Sequence, residues 1–312
     1  MGNFYGQYIG FGSSIPSGAP SGVWIGDRGI IGGGHYGFLD VIEYTTITST
    51  GNGTDFGDLI DGRYGLSACA GGATASTRGI FMGGYAPTIL DLLDYITIAS
   101  TGNAIDFSAD LTAARYYGHA CSNGIRGLNG GGYGTAPVYD TIDYVTMATT
   151  GACTDFGNLD IAHYMVSACA DATKAIFAGG YPAPITNVIQ YVTIASVGNA
   201  VDFGDLLESR IGASGASNTT RGLFYAGSAP GDTIQYITMA TPGNATDFGN
   251  LAAAIEGGGA YANATRSIYS GGHPPVYSNL IQYITIASTG NASTFGNMLS
   301  GKGATLGGCS GT

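Results

Sequence analysis

A short block of sequence recurs six times along the chain, and this repetition constrains the fold more than any other feature. The block RGIFMGGY begins at Arg78, and related blocks begin at residues 28, 126, 174, 221 and 266. The successive spacings are 50, 48, 48, 47 and 45 residues. Repeats of about 40–50 residues are typical of β-propellers, in which each repeat supplies one four-stranded blade. We therefore predict an all-β fold, a six-bladed β-propeller.

Each repeat contains several blocks with the composition of β-strands. The apolar run IFMGG ends in a glycine pair, and the strand DYITIAS that follows is rich in β-branched and aromatic residues. A Gly-Asn turn then leads to a short strand such as TDFGDL, and a strand of small residues such as YGLSACA ends the unit. Good helix formers are scarce, since the chain has only three glutamates and two lysines. The sequence therefore predicts strands joined by tight turns.

These blocks resemble the kelch repeat. That repeat has an apolar run ending in Gly-Gly, a strand near a Tyr, an aromatic residue on the outer strand and an Arg before the next blade. Here the elements are IFMGG, DYITI, DFGDL and Arg115, over residues 28–312, with Phe in place of the usual outer Trp. The resemblance implies that the Ser-Ala-Cys strand lines the central channel. The repeats are also similar to those of tail-fibre and other virion-associated proteins of marine bacteriophages, which implies a place in a virion.

Closure of a propeller ring needs one strand from a distant part of the chain. Residues 303–310 match the innermost strand, and we predict that they pair beside Ile30 and Ile31 in blade one. Residues 21–27 are a competing candidate in the same register. With closure by the C-terminal segment, residues 21–312 form a single propeller and residues 1–20 a Gly/Ser/Pro-rich arm.

The charge balance excludes some partners. The formal net charge is −11, carried mostly by aspartates, and no basic stripe is present, so we expect no nucleic-acid binding. No apolar run approaches the ~20 residues of a membrane-spanning helix, and the first residues do not read as a secretory signal. We expect folding in a host cytoplasm and assembly into a virion, without membrane insertion.

The residues with potential chemistry follow the repeat, which is atypical of a catalytic centre. Cys69, Cys121, Cys169 and Cys309 occupy equivalent positions and are predicted to be small buried side chains on different blades, not disulfides or zinc ligands. Aspartate pairs such as Asp55 and Asp58 recur from unit to unit, as do the Asn-x-Ser/Thr triplets of the hairpins. We interpret both as turn chemistry. We therefore expect no enzyme activity and no cofactor.

Function is expected where the repeats differ, in the segments after the glycine pairs. These segments carry tyrosines and histidines, whose flat rings and polar atoms suit carbohydrate or protein surfaces. His35 and His273 fall in the first and last units, which become neighbours in a closed ring and could share a metal or anion site. The predicted binding residues are His35, Tyr36, Tyr85, Tyr133, Tyr139, Tyr181, His273 and Tyr277.

These observations favour a virion-associated binding module, such as a tail fibre, adhesin or decoration protein. Its partners would be other virion proteins or a glycan or protein of a host surface, and such a role is compatible with a homo-oligomer. One alternative is a lectin-like propeller unrelated to phage. A kelch-type oxidase or hydrolase is a further alternative, but no set of ligand or catalytic residues stands out for it.

Overall fold

The computed structural model describes residues 26–35, 37–71, 77–135, 138–181, 184–228, 231–273, 276–303 and 306–311. In these ranges the chain forms 24 β-strands in six antiparallel four-stranded sheets. The predicted all-β class and the six blades are confirmed. Across the same ranges, no helix is long and apolar enough to cross a lipid bilayer.

The strands follow one another from the axis to the rim of each blade. Blades one to three contain β1 (Arg28–Gly32), β2 (Val41–Thr46) and β3 (Thr54–Asp58), then β4 (Ser67–Gly71), β5 (Arg78–Tyr85), β6 (Ile89–Thr97) and β7 (Ile105–Asp110), then β8 (His119–Ser122), β9 (Arg126–Gly130), β10 (Thr141–Thr146) and β11 (Thr154–Asn158). Blades four to six contain β12 (Ser167–Ala170), β13 (Lys174–Ala178), β14 (Val188–Thr193) and β15 (Val201–Asp205), then β16 (Ser214–Ser217), β17 (Arg221–Tyr225), β18 (Thr233–Thr238) and β19 (Thr246–Asn250), then β20 (Gly259–Ala262), β21 (Arg266–Ser270), β22 (Leu280–Thr285) and β23 (Ser293–Asn297). The last strand, β24 (Gly307–Gly311), completes blade one.

The C-terminal segment closes the ring, as predicted. Strand β24 pairs with β1, which places Cys309 opposite Ile30 and Gly308 opposite Ile31. The innermost strands contact each other in sequence around the axis, and β20 of blade six contacts β24. Residues 1–25, which include the predicted arm and most of the competing segment, lie outside the described residues.

Small residues form the innermost strands because six strands converge on one axis. Strands β4 and β12 read SACAG and SACA, and all their residues are buried. The cysteines are free and pack toward the next blade: a Cβ built on Gly127 would lie 2.8 Å from the Sγ of Cys69. Burial raises the pKa of both the Cys69 and Cys169 thiols. The predicted packing role of these cysteines is confirmed, and burial disfavours their thiolate forms.

The hairpins of the outer rim link neighbouring blades. The side chain of Asn103, in blade two, accepts a hydrogen bond of 3.1 Å from the backbone N–H of Asp58 in blade one. Asn52 does the same for Asn297 across the ring closure, at 3.0 Å. These asparagines therefore form contacts between blades as well as turns. Equivalent bonds are donated to Asn199, Asn244 and Asn291.

Candidate functional site

Two sets of loops meet at one end of the propeller. One set follows the glycine pairs, and the other runs from an outermost strand to the innermost strand of the next blade. Isolated β-bridges join the two sets, as between Tyr64 and Tyr85 and between Glu256 and His273. The glycine pair permits this approach: Gly83 and Gly84 have φ angles of 61° and 118°, and the Gly84 N–H donates to the carbonyl of Arg115. We call this end of the propeller the tyrosine face.

Buried ion pairs fix the second set of loops to the adjacent blade. Arg115 Nη2 lies 2.8 Å from Asp143 Oδ2, and both side chains are fully buried. Arg63 pairs with Asp94 in the same way, and Lys302 Nζ lies 2.6 Å from Glu43 Oε1 at the ring closure. A buried pair of this kind holds its loop firmly, because separating the partners leaves an uncompensated charge.

The third unit replaces this ion pair with neutral groups. His163 stands where three other units have Arg, namely Arg63, Arg115 and Arg210, and Gln190 stands at the position of the acid. Burial lowers the pKa of His163 to about 4, so that the imidazole is neutral at physiological pH. Gln190 accepts a hydrogen bond of 2.6 Å from the N–H of Asp160, as Asp143 does from Thr112.

Aromatic side chains form a continuous chain of ring contacts on the tyrosine face. Successive ring centroids lie 4.7–5.7 Å apart, within the range of favourable aromatic pairs. The chain crosses blades six, one, two, three and four, and we call it the tyrosine arc. In order, its members are His273, Tyr277, His35, Tyr64, Tyr85, Tyr116, Tyr133, Tyr164 and Tyr181, with Tyr117 packed against Tyr116.

Six of the eight predicted binding residues belong to this arc. His35, Tyr85, Tyr133, Tyr181, His273 and Tyr277 are brought together. Tyr139 is not, because it lies beneath the arc against the guanidinium of Arg115, 5.8 Å from the ring centroid. Tyr36 lies outside the described residues.

The arc also contains four tyrosines that were not predicted as site residues. Tyr64, Tyr116 and Tyr164 directly follow the buried Arg or His of the connecting loops. The sequence pattern assigned Tyr64 and Tyr117 to the innermost strands, but β4 begins at Ser67 and β8 at His119. These tyrosines can be found in the sequence when the units are aligned at Arg63, Arg115 and His163. The four are Tyr64, Tyr116, Tyr117 and Tyr164.

His35 and His273 meet through a shared neighbour. The Tyr277 hydroxyl and His35 Nδ1 share a hydrogen bond of 2.7 Å, and the His273 ring lies 4.9 Å from the Tyr277 ring. The expected proximity of the first and last units is therefore present. Among the described residues, no group of three or more His, Cys, Asp or Glu side chains could hold a metal ion.

A row of four backbone hydrogen bonds links five residues that follow the buried side chains of the connecting loops. Each of the last four residues donates its N–H to the carbonyl of the residue before it in the row, at 2.7–3.1 Å, and the φ angles of all five lie between 54° and 66°. We call these residues the axial collar: Gly65, Tyr117, Met165, Gly212 and Gly257.

Two collar residues are not glycine. Tyr117 and Met165 have φ angles of 59° and 54°, a left-handed conformation that costs about 1–2 kcal/mol for a residue with a side chain. Outliers of this kind concentrate at functional sites. Both residues line the same cavity.

A cavity of about 180 Å³ opens beside the collar. Its lining includes Tyr117 and Met165 of the collar together with Glu256, His273 and Tyr277. Burial raises the pKa of the Glu256 carboxyl above its usual 4.5, although nearby His273 acts in the opposite direction. Gly212 and Gly257 complete the lining.

All ten lysines and arginines of the chain lie at blade junctions. Arg28, for example, stacks on Tyr44 at 4.5 Å and donates to the carbonyl of Ile98 in the next blade, at 2.8 Å. None of the ten is exposed. The fully exposed charged side chains of the described residues are therefore all acidic. The ten are Arg28, Arg63, Arg78, Arg115, Arg126, Lys174, Arg210, Arg221, Arg266 and Lys302.

No family model matches the chain, and no curated protein sequence matches it.

Proposed function

We propose that the protein is a non-enzymatic binding module that recognises a partner through its tyrosine face. The tyrosine arc is the observation that carries this proposal. It forms an extended aromatic surface on loops that buried ion pairs and hydrogen bonds fix in place, so little conformational entropy is lost on binding. Tyrosine combines a large apolar face with a hydroxyl, and both are useful against a protein or glycan surface.

The chemistry of the face supports binding over catalysis. Burial raises the pKa of Tyr64, Tyr116 and Tyr164 above their usual 10.0, which keeps their hydroxyls neutral. Neutral phenols in a row are poor acids and bases at physiological pH, but they are good contact residues.

We place this module in a virion, as a tail-fibre, adhesin or decoration protein that contacts a host surface. The resemblance of the repeats to those of tail-fibre and other virion-associated proteins of marine bacteriophages supports this setting. An acidic surface with no exposed lysine or arginine suits a particle in saline surroundings, where surface charges are screened. Localisation of the chain to particles purified from a lysed culture, by an antibody to the propeller, tests the setting. Recovery from the cell fraction alone would refute it.

Binding by the face is tested with labelled propeller on whole host cells. The double variant Tyr85→Ala/Tyr133→Ala removes two arc members, and we expect it to lose at least tenfold in affinity. The control variant Ile105→Ser changes a side chain that is 59% exposed on the outer strand of blade two and should bind like the original protein. Equal binding by all three proteins would contradict the proposal.

A glycan array run in parallel distinguishes the lectin-like alternative. Sugars stack on aromatic rings, and the aromatic surface of the tyrosine face is the observation that favours this function. Saturable binding to one glycan class, lost in the tyrosine variant, would support a lectin. Binding to cells after enzymatic removal of their surface glycans would instead indicate a protein receptor.

A further inference from the structure

We propose that the cavity beside the axial collar binds a compact organic cation, and specifically a trimethylammonium head group. This inference rests on the proposed binding function and names the ligand class of one part of the tyrosine face. The inference is based on four features: the cavity, its aromatic lining, its single carboxylate and the strained collar.

The size of the cavity selects a small head group. Its 180 Å³ correspond to about six water molecules at their liquid volume, below the roughly 300–1,000 Å³ of sites for drug-sized ligands. The remainder of a larger ligand would extend over the neighbouring arc.

The walls of the cavity offer the groups that attract a cation. Tyr117, Tyr277 and His273 present aromatic rings, whose faces carry negative electrostatic potential. Glu256 adds a carboxylate, and no hydrogen bond or ion pair occupies it among the described residues. No lysine or arginine lines the cavity, because all ten lie at blade junctions. An anion would therefore meet acidic charge without a counterion.

The polar groups of the cavity favour a methylated ammonium over a primary one. A primary ammonium has three N–H donors to satisfy, and Glu256 is the one charged acceptor of the lining. The Tyr277 hydroxyl is already bonded to His35. A trimethylammonium group needs no hydrogen-bond acceptor, and its methyl groups can pack against aromatic rings and the Met165 side chain.

The strained collar connects this chemistry to the fold. The other three collar residues are glycine, which adopts the left-handed conformation without strain. Tyr117 and Met165 adopt it with a side chain, and both residues line the cavity. The two strained collar residues are therefore both part of the cavity lining.

The test is calorimetric titration of the full chain with choline and with its neutral isostere 3,3-dimethyl-1-butanol. We expect choline to bind at least tenfold more tightly, because the two ligands have the same shape and only choline carries a positive charge. Equal affinities, or no choline binding at millimolar concentration, would overturn the proposal.

Variants assign the binding to the cavity. Glu256→Gln should weaken choline binding at least tenfold and leave binding of the isostere unchanged. Asp202→Asn, which removes an exposed carboxylate from the rim of blade four, should alter neither. An effect of Asp202→Asn equal to that of Glu256→Gln would reduce the result to net charge and overturn the site. Thermal unfolding of each variant confirms folding.

The carrier of the head group is identified by a second set of titrations with phosphocholine and an N-trimethyl-lysine peptide. Binding of either one supports the assignment, and rejection of both overturns it as a biological site. The outcome is separable from that of the proposed function. Cell binding that depends on Tyr85 and Tyr133 but persists in Glu256→Gln, without choline binding, refutes the cation site alone. If the protein binds choline but does not bind host cells, only the surface-binding role is refuted.

Discussion

The buried pair of Arg115 and Asp143 gives the sharpest test of how the propeller holds its loops. Asp143 accepts from Arg115 Nη2 at 2.8 Å and from Thr112 Oγ1 at 2.7 Å, in a fully buried setting. Asp143→Gln leaves the guanidinium without its counterion, and loss of one partner of a buried pair costs about 3–5 kcal/mol. With an unfolding entropy of about 2.1 cal/mol/K per residue, this lowers Tm by roughly 5–8 °C.

The chain itself supplies the compensating change. The equivalent junction in the third unit uses His163 and Gln190, which are neutral. We therefore expect the double variant Arg115→His/Asp143→Gln to be more stable than either single variant, in a double-mutant cycle measured by urea unfolding. Asp247→Gln, at an exposed position of β19, is the neutral control. If the double variant lost as much free energy of unfolding as the two single variants combined, the pairing argument would be refuted.

Three further predictions follow from the described contacts. Burial lowers the pKa of His119 from 6.5 to about 4, so this residue contributes about 3 kcal/mol to the free energy of unfolding. That contribution is present above pH 6.5 and is lost as the pH falls through 4. His119→Ser, which installs the residue of three other blades at this position, should flatten the acid limb of a Tm-against-pH curve. Asn103→Ala removes the bond to the Asp58 N–H and should cost about 0.5–1 kcal/mol in urea unfolding, whereas Thr101→Ala in the same turn should be neutral. Choline affinity should decrease as the pH is lowered through the raised pKa of Glu256, because the protonated carboxyl carries no charge. The Glu256→Gln variant should show no such pH dependence over the same interval.

The sequence was sufficient to predict the ring because each repeat is one complete structural unit. Six copies of the RGIFMGGY block, each followed by the other blocks of the repeat, require six blades. The match of residues 303–310 to an innermost strand predicts closure beside Ile30 and Ile31. The small residues of that strand follow from crowding at the axis. Local pattern and global fold agree at these positions, so sequence reasoning succeeds there.

The candidate site was predicted only in part, because it depends on contacts between different units. Tyr117 looks like a strand residue beside the small-residue block, and its left-handed φ is invisible without the collar. Glu256 has no partner in sequence that marks it as a cavity residue. Tyr277 and His35 meet only through ring closure. Repeat periodicity predicts equivalent positions, whereas this cavity is built from non-equivalent residues of several units.

The placement of all ten lysines and arginines at blade junctions has a consequence for proteolysis. Trypsin-like enzymes must insert one of these side chains into their specificity pocket, and none is exposed in the folded ring. Cleavage therefore has to follow the opening of a junction, so the rate of tryptic digestion reports the equilibrium for that opening when opening and reclosing are fast. In the described part of the chain, the intact propeller therefore offers such enzymes no fully exposed lysine or arginine.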